Sequence, residues 1–250
     1  MQPGRALVTG AGARVGRAMA FALGAAGWQV GVHYNSSAKG ADETVATIKA
    51  AGGHAVSLQA DLSDQSAVQG LVPTAAKALG GQLTLLVNSA STFADDTLQT
   101  HSARDWDYHF DTNTRAPVTL SQVFAKDFSP AQKGLIVNLV DQRVLKLNPQ
   151  FFTYMLSKSA LWTATRTMAQ ALAPNIRVNA IGPGPTLKSI HQTDEAFSAE
   201  KAATLTREGT SPEEIVKALL YLIEADSVTG QMIVSDGGQH LLWQTPDLLG

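Results

Sequence analysis

Tyr154 and Lys158 stand four residues apart in Thr153-Tyr154-Met155-Leu156-Ser157-Lys158, ahead of a run of good helix formers. On a helix, positions i and i+4 share a face. A phenol and an ammonium on one face pair an acid with a helper. A nearby cation favours the phenolate, so the phenol is expected to fall below its ordinary value of about 10. That would make Tyr154 a proton donor near neutral pH. The spacing alone is common, and the plain alternative is a half-buried tyrosine beside a solvated lysine. The rest of the chain decides between them.

A second constellation is Gly10-Ala11-Gly12-Ala13-Arg14-Val15-Gly16, between the strand-like Ala6–Thr9 and a helix with apolar Val15, Met19, Ala22 and Leu23. A glycine-rich turn opening a helix lets backbone N–H groups approach a pyrophosphate. Its spacing is one residue longer than the G-x-G-x-x-G fingerprint. Gln29–Tyr34 reads as the next strand. NAD-dependent sites usually carry a carboxylate at this strand's end for the ribose hydroxyl. Here the end reads His33-Tyr34-Asn35-Ser36-Ser37, with none. Arg14, His33, Ser36 and Ser37 would instead surround a 2′-phosphate, which favours NADPH.

The elements that position these groups follow in order. Ala55–Gln59 is a strand followed by Asp61 and Leu62. Asp61 either accepts from an adenine amino group or caps a helix over 64–79, where Pro73 implies a kink or an early break. Leu83–Val87 is a strand ending in Asn88-Ser89-Ala90-Ser91-Thr92-Phe93, small residues that suit a cofactor lying across the sheet edge. A helix is expected from Ser102 through Lys126. Within it Pro117 has no amide to give the Asn113 carbonyl, which is left free at a kink to seat a water. Strand 134–139 delivers Asp141 to the same edge. Strand 176–180 leads to Pro183 and Gly184. The polar segment 187–209 reads as a mobile lid. Pro212 opens a helix, and strand 231–235 ends in Asp236-Gly237-Gly238.

The 250 residues are 44% apolar and 16% charged, enough to bury a large core. The net charge of −2 offers no basic surface for nucleic acid. The absence of cysteine excludes disulfides and thiolate metal sites and fits a reducing cytoplasm. Met1-Gln2-Pro3-Gly4-Arg5 lacks the apolar core expected of a signal segment, and no apolar run approaches the about 18 residues of a membrane span. Alternating strands and helices predict an α/β fold: one domain over 1–250, a Rossmann-like doubly wound parallel sheet of about seven strands.

Taken together, Thr9-Gly10-x5-Gly16, Asp61, Asn88-x-Ala90, Asn113, Tyr154-x3-Lys158, Arg177-Val178-Asn179 with Pro183-Gly184, and Asp236-Gly237-Gly238 resemble the short-chain dehydrogenase/reductase family from end to end. The resemblance implies NAD(P)-dependent hydride transfer. Tyr154 is then the acid, Lys158 its helper and nicotinamide-ribose ligand, and the Asn113 carbonyl the anchor of a proton-path water. The remaining implied cofactor contacts are Gly10, Arg14, Val15, Gly16, His33, Tyr34, Asn35, Ser36, Asp61, Leu62, Asn88, Ser89, Ala90, Pro183 and Gly184.

Two departures sharpen this. Asp141 stands where the family's hydroxyl-donating serine is expected, and Asn88-Ser89-Ala90-Ser91 replaces Asn-Asn-Ala-Gly. An ionised carboxylate only accepts hydrogen bonds and would repel a developing oxyanion. It suits a substrate presenting N–H groups or, if protonated by burial, gives a proton to a ring nitrogen. The pattern resembles the pteridine reductase branch. The resemblance places Asp141, Tyr154 and Lys158 in the catalytic set, with Ser91 and Phe93 against a stacked pterin. The expected activity is NADPH-dependent reduction of a C=N bond in a pterin or dihydropterin. The alternatives are a general carbonyl or imine reductase, or an inert NADP-binding regulator. Asp95-Asp96 is read as a solvated turn, and no metal site is expected. By the same resemblance the chain is a homotetramer, with Leu161, Thr165 and Met168 on an interface. His240, Leu241 and Trp243 line the pocket or meet a neighbouring subunit.

Overall fold

In the computed structural model, described over residues 1–189 and 192–244, the odd and even positions of each central strand face different helices. Ala6, Val8, Leu85, Val87, Leu135 and Val137 pack with helices α1 (Arg14–Ala25), α2 (Ala38–Ala50) and α8 (Pro212–Glu224). Leu7, Leu86, Ile136 and Val178 pack with α3 (Gln65–Ala78), α5 (Ala116–Lys126) and the end of α6 (Phe152–Leu172). Side chains of a strand alternate across the sheet, so one sheet holds two cores. Continuous apolar strands are what a parallel sheet covered on both sides needs.

The seven strands are β1 (Arg5–Val8), β2 (Gln29–Tyr34), β3 (His54–Gln59), β4 (Leu85–Asn88), β5 (Gly134–Leu139), β6 (Ile176–Pro183) and β7 (Met232–Ser235). They run parallel in the order β3-β2-β1-β4-β5-β6-β7. The order reverses between β1 and β4, and a crevice opens at the carboxyl ends of those strands. This is the single-domain, doubly wound sheet expected. Two capped helices, α4 (Ala103–Phe110) and α7 (Asp194–Ala202), complete the described elements.

Four local expectations change. Helix α3 runs unbroken through Pro73. The carbonyl that loses its partner belongs to Gln69, which is exposed and open to water. The helix expected from Ser102 through Lys126 is interrupted by a π turn over Asp111–Arg115, where the Ala116 amide reaches back to the Asp111 carbonyl. Pro117 breaks the regular ladder at Asn113, and the wider turn absorbs the gap. Within the polar, weakly periodic 187–209 segment a helix forms, α7, which begins on the side-chain cap of Thr193. Residues 190 and 191 of that segment and the tail 245–250 lie outside the described residues. Finally, Leu161 and Thr165 are fully buried inside the chain. That stripe of α6 faces the sheet, so it is not an interface; Thr163, Arg166, Thr167 and Gln170 are the exposed side. Among the described residues no helix is long and apolar enough to cross a membrane.

Candidate active site

The crevice is a cleft of about 1090 Å³ running from the glycine loop to Tyr154. At one end α1 starts at Ala13 with neither a side-chain cap nor an acidic residue in its first turn. Its first amides therefore lack partners, as helix starts do unless capped. Ala13, Arg14, Val15 and Gly16 line the cleft there. Gly10 adopts a left-handed φ of 66° and lies so close to the loop after β4 that a Cβ on it would meet the Ala90 Cα at 2.9 Å. The Thr9 hydroxyl accepts from the Ser89 and Ala90 amides at 2.9 and 3.0 Å. The loops after β1 and β4 are thereby fixed against each other.

His33 lines the floor of this end but has no free N–H to offer. Its Nδ1 accepts from the Gly10 amide at 3.1 Å and its Nε2 donates to the Ala60 carbonyl at 3.1 Å. Burial pushes the imidazole down to about 4, against the opposing bond to Ala60. It is a neutral pin, so the expected share of His33 in holding a 2′-phosphate is not available. Asn35, Asp61 and Leu62 also line this end. Asp61 caps its own turn by accepting from the Ser63 amide and hydroxyl, and these bonds hold it below the usual carboxylate range. Asp64, not Asp61, caps α3. Tyr34, Ser36 and Asn88 stand outside the lining. Tyr34 packs on the α1–α2 side of the core. Ser36 is exposed. Buried Asn88 donates to Asn138 at 2.8 Å, which in turn donates to Thr165 of α6 at 2.9 Å. The signal for this ladder was an asparagine inside the apolar run Leu135–Leu139.

Arg14 reaches across the mouth. Its guanidinium donates to the carbonyls of Leu187 and Lys188, each at 3.0 Å.

At the other end the Tyr154 hydroxyl donates to Asp141 Oδ2 at 2.8 Å. Asp141 also accepts from the Arg143 amide at 2.8 Å and from its guanidinium at 3.4 Å. In all of these contacts Asp141 is the acceptor. Burial first, then the charge of Asp141, push the phenol well above its ordinary value, with Arg143 opposing. This overturns the expected lowering by Lys158. The Lys158 ammonium is fully enclosed and donates to the Leu139 carbonyl at 2.8 Å. Burial brings it down to about 8, against the pull of Asp141.

Asn113 is buried at the π turn. Its Oδ1 accepts from the Thr92 amide at 2.9 Å and the Ser91 hydroxyl at 3.0 Å. Its amide donates to the Ser157 hydroxyl at 3.1 Å. The side chain thus joins the loop after β4 to α6, while the backbone carbonyl lacks the Pro117 amide. Phe93 meets Tyr154 edge-on, with centroids 4.8 Å apart. The guanidinium of Arg143 lies 5.9 Å from the Phe93 centroid and 5.3 Å from that of Phe151. Arg143 and Phe151 escaped the sequence reading, although Asp-Gln-Arg directly after a strand was a visible clue.

On the side of the 187–209 segment, Pro183 and Gly184 line the cleft with Phe197 and Glu200. Glu200 accepts from Gln192 at 2.7 Å and Gln239 at 3.1 Å. Among the described tail residues it is Gln239 that lines the cleft. His240 is bonded to Asp236 at 2.7 Å, and Leu241 and Trp243 are exposed. Among the described residues no group of three or more His, Asp or Glu could hold a metal ion.

A sheet with this crossover and a Tyr-Lys pair at its carboxyl edge defines a class, and the chain belongs to the short-chain dehydrogenase/reductase family. A model of that family, described as enoyl-(acyl carrier protein) reductase, matches residues 10–240. The chain is 31% identical over 237 residues to a 3-oxoacyl-[acyl-carrier-protein] reductase of Synechocystis, covering 93% of this chain and 95% of that one. It is 33% identical over 249 residues to 3β-hydroxysteroid dehydrogenase 1 of Eggerthella lenta, covering 94% of this chain and 93% of that one. Among solved structures, it superposes with a TM-score of 0.94 on the FolM alternative dihydrofolate reductase 1 of Brucella suis in complex with NADP, at 46% identity and 97% of both chains. The Brucella canis counterpart, also complexed with NADP, gives a TM-score of 0.95 at 44% identity, covering 99% of this chain and 98% of that one.

Proposed function

We propose that this chain is an NADPH-dependent reductase that saturates a C=N bond of a pterin or dihydropterin. The observation that carries the reading is the carboxylate of Asp141 at 2.8 Å from the Tyr154 hydroxyl. The uncapped start of α1 and the absence of a carboxylate at the end of β2 fit an NADP-type dinucleotide. Likeness to two NADP-bound dihydrofolate reductases supports both parts of the proposal.

When bound, NADPH supplies hydride to the carbon of the C=N bond. The adjacent nitrogen must then gain a proton. In this reading Tyr154, kept protonated by burial and by Asp141, is the donor on that side. Asp141 accepts from N–H groups of the heterocycle and disfavours a ketone, whose developing oxyanion it repels. Lys158, held on the Leu139 carbonyl, keeps a positive charge beside Tyr154 and toward the nicotinamide ribose. The Asn113 carbonyl seats the water that reprotonates the pair. Phe93 offers its face to the flat ring. Gly10, Val15, Gly16, Ser89, Ala90, Pro183 and Gly184 cradle the dinucleotide, and Ser91 meets the substrate edge. A homotetramer in the cytoplasm belongs to this reading through the family resemblance.

The test is NADPH oxidation by the purified protein with dihydrobiopterin, dihydromonapterin and dihydrofolate, beside simple ketones and a 3-oxoacyl thioester. Turnover of the heterocycles is expected. Turnover of the carbonyl substrates alone would establish the second reading, a carbonyl reductase, which the 3-oxoacyl reductase likeness favours. NADPH binding without any turnover would point to a regulatory NADP-binding protein.

A further inference from the structure

Beside Phe93 lies a buried polar chain that the proposed chemistry leaves unused. The Ala94 amide donates to His109 Nε2 at 3.0 Å. That bond needs a lone pair on Nε2, so a neutral imidazole carries its hydrogen on Nδ1. From there it donates to the Thr153 hydroxyl at 2.7 Å. The Thr153 hydroxyl donates to Asp96 Oδ2, and the Thr153 amide donates to Oδ1 at 3.0 Å. His109 and Thr153 are fully buried and Asp96 is 5% exposed. The expectation of a solvated Asp95-Asp96 turn therefore fails for Asp96, which is turned inward onto the first turn of α6. Every hydrogen in the chain has one donor and one acceptor, so the tautomer is dictated.

We infer that His109 is a positioning residue for the substrate. Its Nε2 lone pair fixes Ala94, and with it the adjacent Phe93, in the pose that stacks the heterocycle. The inference rests on the pterin reading above. It gives the loop two stakes, Ala94 on α4 and Asp96 on α6, with the stacking ring beside the first.

An imidazolium has no lone pair. Protonating Nε2 sets two N–H groups face to face at 3.0 Å, and the loop must move or the bond is lost. The charged and titratable groups around the ring are Asp96 on the loop, Asp105 and Tyr108 on its own helix, and Lys158 and Tyr154 on α6. Burial holds the imidazole below its ordinary value, while the two carboxylates pull the other way and Lys158 sides with burial. The stake therefore stands at neutral pH and weakens in acid.

The test uses two variants. His109→Gln keeps an acceptor near the Nε2 position and cannot be protonated there; His109→Leu has no acceptor. Steady-state constants for a dihydropterin and for NADPH are measured from about pH 7.5 to about pH 5, with hydrogen exchange of the 92–97 segment over the same range. In the parent protein the dihydropterin KM is expected to rise about 2- to 10-fold toward acid, the factor that one lost hydrogen bond gives, and the NADPH KM to stay level. H109Q should flatten that rise with kcat near normal at neutral pH, and H109L should show the raised KM throughout. An H109Q profile that follows the parent's overturns the inference. If no heterocycle is turned over, the pterin reading fails by itself. Exchange then decides alone: acid-induced loss of Ala94 protection in the parent but not in H109Q supports the stake, and identical exchange defeats it.

Discussion

Phe151 stacks on Phe93 with ring centroids 4.4 Å apart and planes 24° from parallel. It does so from a left-handed backbone, φ 53° and ψ 48°, immediately before α6. A non-glycine residue there costs of order 1–3 kcal/mol, which surrounding contacts must offset. One face of Phe93 is thus backed by Phe151. Phe151→Ala is expected to raise the dihydropterin KM about 2- to 10-fold, since aromatic pairs contribute about 0.5–1.5 kcal/mol, without changing the NADPH KM. Phe151→Gly should share that kinetic defect yet be about 1 kcal/mol more stable than Phe151→Ala in urea denaturation, because glycine adopts this backbone freely. Equal stability of the two variants would show that the turn is unstrained.

Asp141→Ser restores the hydroxyl expected of a ketone reductase. Pterin turnover is expected to fall by about 100-fold or more, with simple ketones gaining. Asp141→Asn removes the charge that raises the phenol, so Tyr154 should ionise at lower pH than in the parent. Ultraviolet difference titration against Tyr154→Phe isolates that one phenol. A D141S variant that still prefers pterins would remove the basis for the substrate choice.

Lys158 sits at about 8 because burial disfavours its charge. Its ammonium is intact below that value and is lost as pH rises through it. The profile of kcat/KM, which reports the free enzyme, is therefore expected to decline above about pH 8. A plateau extending to about pH 10, where a solvated lysine titrates, would contradict the enclosed setting.

His33 binds a proton less readily folded, at about 4, than unfolded, at 6.5. Where the unfolded chain binds more protons, stability rises with pH. The stability His33 allows is therefore complete above 6.5 and drains away as pH falls toward 4. At about pH 5 the loss approaches about 2 kcal/mol. His33→Gln should start less stable at neutral pH but show a shallower acid dependence, read by thermal unfolding across pH.

The continuous apolar runs of β1, β4 and β5 made the sheet legible, and the glycine loop, Asp141, Tyr154 and Lys158 placed the cleft. What escaped depends on geometry that spacing does not carry. Tyr154, Lys158, Leu161 and Thr165 follow one helical stripe, so the side that presents the pair to the cleft also presses its continuation onto the sheet. An interface on that stripe contradicted the chemistry already assigned to it. Asp96 and His109 looked like ordinary polar residues, because burial arises only when the loop after β4 folds onto α4 and α6. The tyrosine's proton affinity was misjudged for the same reason: distance to Lys158 was read from spacing, whereas enclosure and the carboxylate dominate.

The two bonds from Arg14 to Leu187 and Lys188 join the banks on either side of the cleft with one side chain. Parting the banks at this point requires that guanidinium to release both carbonyls. Hydrogen bonds from a charged donor contribute about 1.5–3 kcal/mol net each, a hurdle thermal motion still clears. The tie between the banks is thus undone by the swing of one side chain, with no hinging of a whole domain.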